Sequence, residues 1–388
     1  MSTPIILRGI TWSHDRGYLP MVATAEAYTR LHPSIVIEWE KRTLKEFEET
    51  PVDRLAPHYD LLVIDHPFVG AGARLGVFQP LDDVLPEAFL ADQAANSVGG
   101  SHASYSWDRR QWALAIDAAA PVAFWSDEGL DAAGLAPAKT WDDLIELGTR
   151  GCLEIPAAPI YCLMNFFMMC GAAGEEPFQD ANAVVSRPVG REALAVLREL
   201  INRCEPGVWK RNPIASHELV ASGKTTAAYC PFSYGYYNYA REGRSPRRLR
   251  FGEMPTWQGR LLHSTLGGTG LAISAKRPQI AAALDYAQYV ASAEIQRTLY
   301  TRAGGQPGHR QAWNDPENNR LTQNCYADTL PAVDRAYVRP RYAGYLEFQE
   351  RAGAIVHGAL RGRTADDDAL HELDSFYRHS PLSVVPVA

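Results

Sequence analysis

What this chain lacks narrows its function before any motif does. No apolar run reaches the ~18 residues that a membrane-spanning helix needs. There is no long basic run: the densest stretch, RSPRRLR (Arg244–Arg250), sits beside Gly243 and reads as a solvated loop. With a formal net charge of -7, the chain has no polyanion-binding signature, and nucleic acid is not expected as a partner. The six cysteines (Cys152, Cys162, Cys170, Cys204, Cys230, Cys325) form no CxxC pair. The histidines include no HExxH motif and no i, i+4 pair, so neither a metal nor a cofactor is expected. Cys162 and Cys170 lie in the apolar YCLMNFFMMCG and read as buried free thiols. The opening MSTPIILRGI enters a strand-like run without the basic, apolar and small-residue regions of a secretory signal. On this reading a chain trimmed of its leader and a protein not exported by a signal peptide both stay open, so a cytoplasmic location does too.

What is present points to a soluble chain long enough for two domains, since 388 residues exceed the size at which one core stops growing. IILRGITW reads as a first strand. Met21, Ala25, Tyr28 and Leu31 then recur at helical spacing, with Pro33 as the stop. SIVIEWEKR alternates as a half-buried strand, LKEFEETPVDRL is a helix broken at Pro51, and YDLLVIDH is a short apolar strand. This βαβαβ order implies a parallel sheet covered by helices. Ligands of such sheets collect at the carboxyl ends of the strands, which here carry Trp12, His14, Asp65 and His66. Further on, Thr140 and Asp143 form an acidic capping box for a helix in AKTWDDLIELG. A helix ending at Gly223 precedes a strand over Thr226–Cys230 and then an aromatic loop, SYGYYNY.

Two catalytic motifs fail on context. Gly267–Gly270 precedes a strand, whereas phosphate cradles open a helix; its glycines serve positive φ or close backbone approach. Ser233 in PFSYG would be a nucleophile elbow only with glycine two residues before it, and Pro231 stands there. No catalytic residue is assigned. The aromatic residues are more informative: Trp12, Trp107, Trp112, Tyr229, Phe232, Tyr234, Tyr236 and Tyr237 gather near strand ends and loops. Rigid rings stack on sugar faces while His, amides and carboxylates take the hydroxyls. SYGYYNY is too dense in tyrosine for one core face, so some of its rings are expected to be exposed.

Taken together, these segments resemble the extracellular solute-binding proteins of ABC importers, of the maltose-binding-like carbohydrate type. The resemblance rests on GVFQPLDDVLP, on PAKTWDDL, on LVASGKTTAAY, and on GGTGLAIS with the following helix and GGQPGHRQAW. It implies an α/β, two-lobed type II periplasmic-binding-protein fold, with a cleft between the lobes and a hinge. It also implies chain crossings near Ile116–Ala118, Leu262–Gly267 and Trp313–Thr322. Lobe 1 is then 1–116 plus 265–315, and lobe 2 is 117–264 plus 316–388.

The expected function is the binding of a small polar solute, a sugar or sugar derivative, by hinge closure. The resemblance implies a monomer that is not an enzyme, located in the periplasm, with an ABC permease as its membrane partner. An organic acid or other anionic ligand, and a cytosolic sensor or enzyme using the same cleft, stay open as alternatives. One wall is expected from Trp12, His14, Asp65 and His66, and the other from Asn165, Phe232, Tyr234 and Tyr236. Asp117, Gly267, Gly268 and Arg341 complete the ligand-binding set. Arg16 is the counter-charge for an anionic ligand, unless it pairs with Asp15 or Glu40 at the surface.

Overall fold

The protein is described from a computed structural model over residues 4–380. Within that span the chain forms two compact units. Unit 1 takes 4–119, Leu266–Arg320 and Val338–Ala343; unit 2 takes Ala120–Thr265, Leu321–Tyr337 and 344–380.

The strands in chain order are β1 (Ile5–Trp12), β2 (Ile35–Arg42), β3 (Leu61–Ile64), β4 (Leu114–Ala119), β5 (Pro121–Trp125), β6 (Tyr229–Tyr234), β7 (Arg250–Gly252) and β8 (Gly267–Ile273), with a two-residue hairpin at Ser106–Gln111 besides. The helices used below are α1 (Asp15–Leu31), α2 (Trp141–Thr149), α3 (Pro159–Ala172), α4 (Arg187–Ile201), α5 (Pro213–Ser222), α6 (Ile280–Ala291), α7 (Cys325–Asp334), α8 (Tyr345–Leu360) and α9 (Asp366–His379).

Unit 1 is built on a five-stranded sheet in the order β2-β1-β3-β8-β4. β1 runs parallel to β2 and β3, as the βαβαβ pattern implies, but β8 is antiparallel to both its neighbours, so the sheet is mixed. Leu7, Leu61, Val63, Leu271 and Ile273 of these strands join Met21 and Tyr28 of α1 and Tyr286 of α6 in one core. Each such fully buried apolar side chain contributes on the order of 1.5–3 kcal/mol. The Tyr286 hydroxyl accepts from Trp39 Nε1 (3.3 Å) and lies 2.9 Å from the Thr24 hydroxyl, so these three buried polar groups satisfy one another. α1 begins six residues before Met21: the His14 ring accepts the Arg16 backbone N–H at 3.0 Å and caps the helix, leaving Pro20 inside it.

Unit 2 carries an antiparallel three-stranded sheet, β6-β5-β7. Its main helix, α3, is buried all round, as a helix apolar on every face must be, and packs against α8 and α4. α2 starts with the capping box read from the sequence: Thr140 and Asp143 exchange their side-chain and backbone bonds. β6 begins three residues later than the Thr226–Cys230 strand expected, which brings Phe232, Ser233 and Tyr234 out of the aromatic loop and into the sheet. Pro231 falls where the β5–β6 register slips between Val122 and Phe124, a place at which a missing N–H costs no ladder bond.

The lobe boundaries drawn from the sequence need correction. Asp117, Ala118 and Ala119 belong to unit 1, because β4 stays paired with β8 to its last residue, Ala119 opposite Gly267. Residues 316–320 also stay in unit 1, where the Asn318 and Asn319 amides bond the carbonyls of Ala312 and Trp313. Finally, Val338–Ala343 rejoins unit 1 from within a stretch assigned wholly to lobe 2. The chain therefore changes unit five times, after Ala119, Thr265, Arg320, Tyr337 and Ala343, rather than three.

Candidate functional site

The carboxyl ends of the unit 1 strands gather a cluster of charged and polar side chains. Asp65 follows β3 at the point where the chain turns into a short 3₁₀ segment, and its carboxylate accepts the His66 backbone N–H at 2.9 Å. Arg339 places one terminal nitrogen 2.9 and 2.7 Å from the two Asp65 oxygens. Burial acts to raise the Asp65 carboxyl, but the Arg339 guanidinium and its bond with His66 outweigh that and hold it at about 2. The His66 ring, fully buried, is lowered to about 4, first by burial and then by Arg339, so it is neutral near pH 7. Its Nδ1 stands 3.2 Å from Asp65, and its Nε2 has no protein partner.

A second ion pair lies across the same sheet. Arg16, in the first turn of α1, reaches Asp117 of β4 through Nε at 2.9 Å and through a terminal nitrogen. Both side chains are buried. Burial pushes the Asp117 carboxyl up from its ordinary value, while Arg16 and a Gln306 backbone bond pull it down. Arg16 therefore does not pair with Glu40 at the surface; Glu40 is held by Arg8 and Tyr59. Between the carboxylates stands Tyr105, whose hydroxyl donates to the Ile64 carbonyl at 3.3 Å, and Asp65 and Asp117 add to burial in raising it. Thr269, directly opposite Asp117 in β8, is buried with a hydroxyl that no protein group meets.

Trp12 lies in the unit 1 core, its ring 5.4 Å from Phe47 and 6.0 Å from the Arg16 guanidinium. Its indole nitrogen is buried without a partner. His14 is engaged as the α1 cap. The glycine pair lies inside β8 rather than before it. Gly268 has φ +96°, and a Cβ there would collide with the Asp117 carbonyl oxygen, so the close approach of β8 to β4 requires glycine. Arg341 lies near enough to His66 to help lower it.

In unit 2, Asn165 sits mid-helix in α3, buried, with its amide nitrogen unpartnered. Tyr161, one turn earlier, meets Tyr234 edge-on at 6.4 Å, and the Tyr234 hydroxyl lies 2.8 Å from that of Thr265. The expectation of exposed rings in SYGYYNY is corrected: Tyr236, Tyr237 and Tyr239 are all buried, and only Tyr234 is half-buried. Tyr236 and Tyr239 pack on His217 of α5, and Tyr237 on Phe251 and Tyr326. Phe232 is likewise interior and stacks on Trp141.

Sequence reasoning missed Arg339, Tyr105 and Thr269. The first bonds a partner 274 positions away, a separation no local pattern encodes. Thr269 lies near the amino end of β8, which runs antiparallel to its neighbours, so the carboxyl-end rule that picked Asp65 did not reach it, and its strand was placed after Gly270.

Residues 48–319 match the model of a family described as bacterial extracellular solute-binding protein. The fold is similar to that of maltose-bound MalE3 from T. maritima, at 18% identity and a TM-score of 0.83, covering 96% of this chain and 99% of that one. It is also similar to an ABC transporter solute-binding protein from Agrobacterium radiobacter K84 in complex with ribitol (18% identity, TM-score 0.80, 97% and 99% covered). One from Agrobacterium vitis S4 with bound D-mannitol matches at 15% identity and a TM-score of 0.76, with 96% and 97% covered.

Proposed function

The chain belongs to the bacterial extracellular solute-binding proteins, which are not enzymes, and from that premise we propose that it is the binding component of a sugar-type ABC importer. It acts outside the cytoplasmic membrane as a monomer, and a membrane permease reads its solute-loaded state. Loading works by population shift: a solute that binds one state of the protein better than another moves the equilibrium toward it. Arg16 and Arg339 at the strand ends are each matched by a carboxylate, which supports an uncharged polyhydroxyl solute over a sugar acid. Within unit 1, Asp65, His66 and Thr269 present acceptors and donors suited to hydroxyls.

The observation that carries this reading is the family match over residues 48–319, joined to fold neighbours bound to maltose, ribitol and mannitol. A thermal-shift screen tests it, because only a solute preferring the native state raises the midpoint. Maltose, ribitol, D-mannitol and tagatose are compared with gluconate and glucuronate. A shift with an uncharged compound supports the reading. A shift confined to the acids overturns the solute class, and no shift with any compound removes the sugar-type assignment.

A further inference from the structure

We propose that Arg339 is a positioning residue for solute binding: carried on the short segment Val338–Ala343, it fixes Asp65 so that one carboxylate oxygen stays open to a solute hydroxyl. The inference rests on the solute-binding reading above and adds to it a residue, Arg339, that the expected ligand-binding set does not include.

The first observation is a count of hydrogen bonds. Asp65 Oδ1 takes the His66 backbone N–H at 2.9 Å and an Arg339 donor at 2.9 Å, with His66 Nδ1 at 3.2 Å. Oδ2 takes Arg339 alone, at 2.7 Å. A carboxylate oxygen can accept about two bonds, so Oδ2 keeps one unused acceptor direction. Exposure agrees with the count: the Arg339 side chain is 3% exposed, whereas that of Asp65 is 16%. The guanidinium thus closes one side of the carboxylate and leaves the other open. Beside that open side stands the neutral His66 ring, with Nε2 unpartnered. An acceptor next to a donor or acceptor of this kind suits a vicinal diol.

The second observation is how the segment is held. It leaves unit 2 after Tyr337 and returns to it at Gly344. Inside unit 1, Arg339 Nε also donates to the Leu266 carbonyl at 3.3 Å. Gly70 admits the Arg341 carbonyl oxygen, with which any Cβ would collide, and Gly100 admits Val338. Tyr342 is buried. The segment is therefore seated by shape, and the Arg339 ion pair it carries ends on Asp65. A purely structural tie would serve with any acidic residue; this one ends at the carboxyl end of β3, where an open sheet binds its ligand.

The groups that bear on Asp65 are Arg339, the His66 ring and the Tyr105 phenol. Of these, Arg339 is the charged group that holds the carboxyl ionised near neutral pH, and the His66 hydrogen bond adds to it. Without Arg339, burial is opposed by the His66 bond alone and the carboxyl rises, so that acid protonates the acceptor.

The test uses Arg339→Met and the charge-retaining Arg339→Lys in the full chain. Calorimetry with maltose, ribitol, D-mannitol and tagatose is run at pH 7.5 and pH 5.5. For any of these that binds, wild-type affinity should agree within about twofold at the two pH values. Arg339→Met should bind at least about tenfold more weakly at pH 7.5, the scale of a lost charged hydrogen bond, and weaker still at pH 5.5. Arg339→Lys should recover most of the loss at pH 7.5, and it also covers the case in which Arg339→Met does not fold. Affinity within twofold of wild type, or a loss equal at both pH values, overturns the proposal. In parallel, carboxyl NMR follows Asp65, and hydrogen exchange follows the amides of Val338–Ala343. Arg339→Met, or the likewise uncharged Arg339→Gln if the former does not fold, should raise the Asp65 titration and speed exchange of those amides. If wild type binds none of the four compounds, the functional reading fails. These two readouts then decide the positioning claim alone: unchanged titration and exchange overturn it.

Discussion

Arg16 and Asp117 stand 101 residues apart in the chain and close a buried ion pair that ties the first turn of α1 to β4. Neither charge faces water, so each depends on the other. The sequence had left Arg16 as the counter-charge for an anionic solute or as the partner of a surface carboxylate, whereas the structure gives it the buried carboxylate of Asp117. Arg16→Met or Asp117→Asn should destabilise the solute-free protein by about 3–5 kcal/mol, because each strands a buried charge or its donors. Replacing both, as Arg16→Met with Asp117→Leu, should restore most of the loss. Urea denaturation of the three variants checks this; single variants as stable as wild type would refute it.

Gly268 should tolerate no side chain. Its φ of +96° and the adjacent Asp117 carbonyl oxygen both oppose a Cβ. Gly268→Ala is expected to cost more than the roughly 1–3 kcal/mol of backbone strain alone, since β8 must also move away from β4. Denaturation midpoints measure it, and a wild-type midpoint would refute the argument.

Stability should fall in mild acid, with His66 as one identifiable cause. Its folded-state value, about 4, lies below the ordinary 6.5, so the fold favours the neutral ring. The stabilisation is complete above about pH 6.5 and is lost as the pH falls toward 4; the depression corresponds to about 3 kcal/mol. His102 and His357 are lowered too, first by burial, so wild type alone does not isolate the effect. His66→Gln should lose stability less steeply than wild type between pH 6.5 and 4. Parallel slopes would mean that His66 does not contribute.

Phe232 and Tyr234, neighbours in sequence, should separate cleanly. Phe232 is interior and stacked on Trp141, so Phe232→Ala should cost about 3–5 kcal/mol of stability. Tyr234 is half-buried, and Tyr234→Ala should lower affinity for the solute found by screening more than it lowers the melting temperature. Calorimetry and thermal melts on both variants decide, and a Tyr234 variant with unchanged affinity would remove it from the site.

All six cysteines are unpaired, and five are buried. Burial raises their thiols: Cys162, Cys204 and Cys325 well above the usual range, and Cys170 and Cys230 likewise. A thiol reagent at pH 8 should react at once with at most one group in the native protein, namely Cys204, and with six after denaturation. Two or more rapid reactions in the native state would show the burial to be wrong.

Local patterns settled a good part of this protein. Thr140 and Asp143 announced α2 because a capping box closes within four residues. The apolar YCLMNFFMMCG announced burial because a segment with no polar face has nowhere else to go, while its being a helix was left to the structure. The place of Asp65 and His66 at the end of β3 was legible because a strand's carboxyl end is readable once the strand is. The tertiary structure alone decided what joins distant segments. Arg339 meets Asp65, Arg16 meets Asp117, and Val338–Ala343 returns to unit 1, each through chain separations over which periodicity carries no information. The tyrosine-rich loop was misjudged for the same reason. How many rings a core can hold depends on His217, Phe251 and Tyr326 converging on it from other elements, and only the folded packing brings them there.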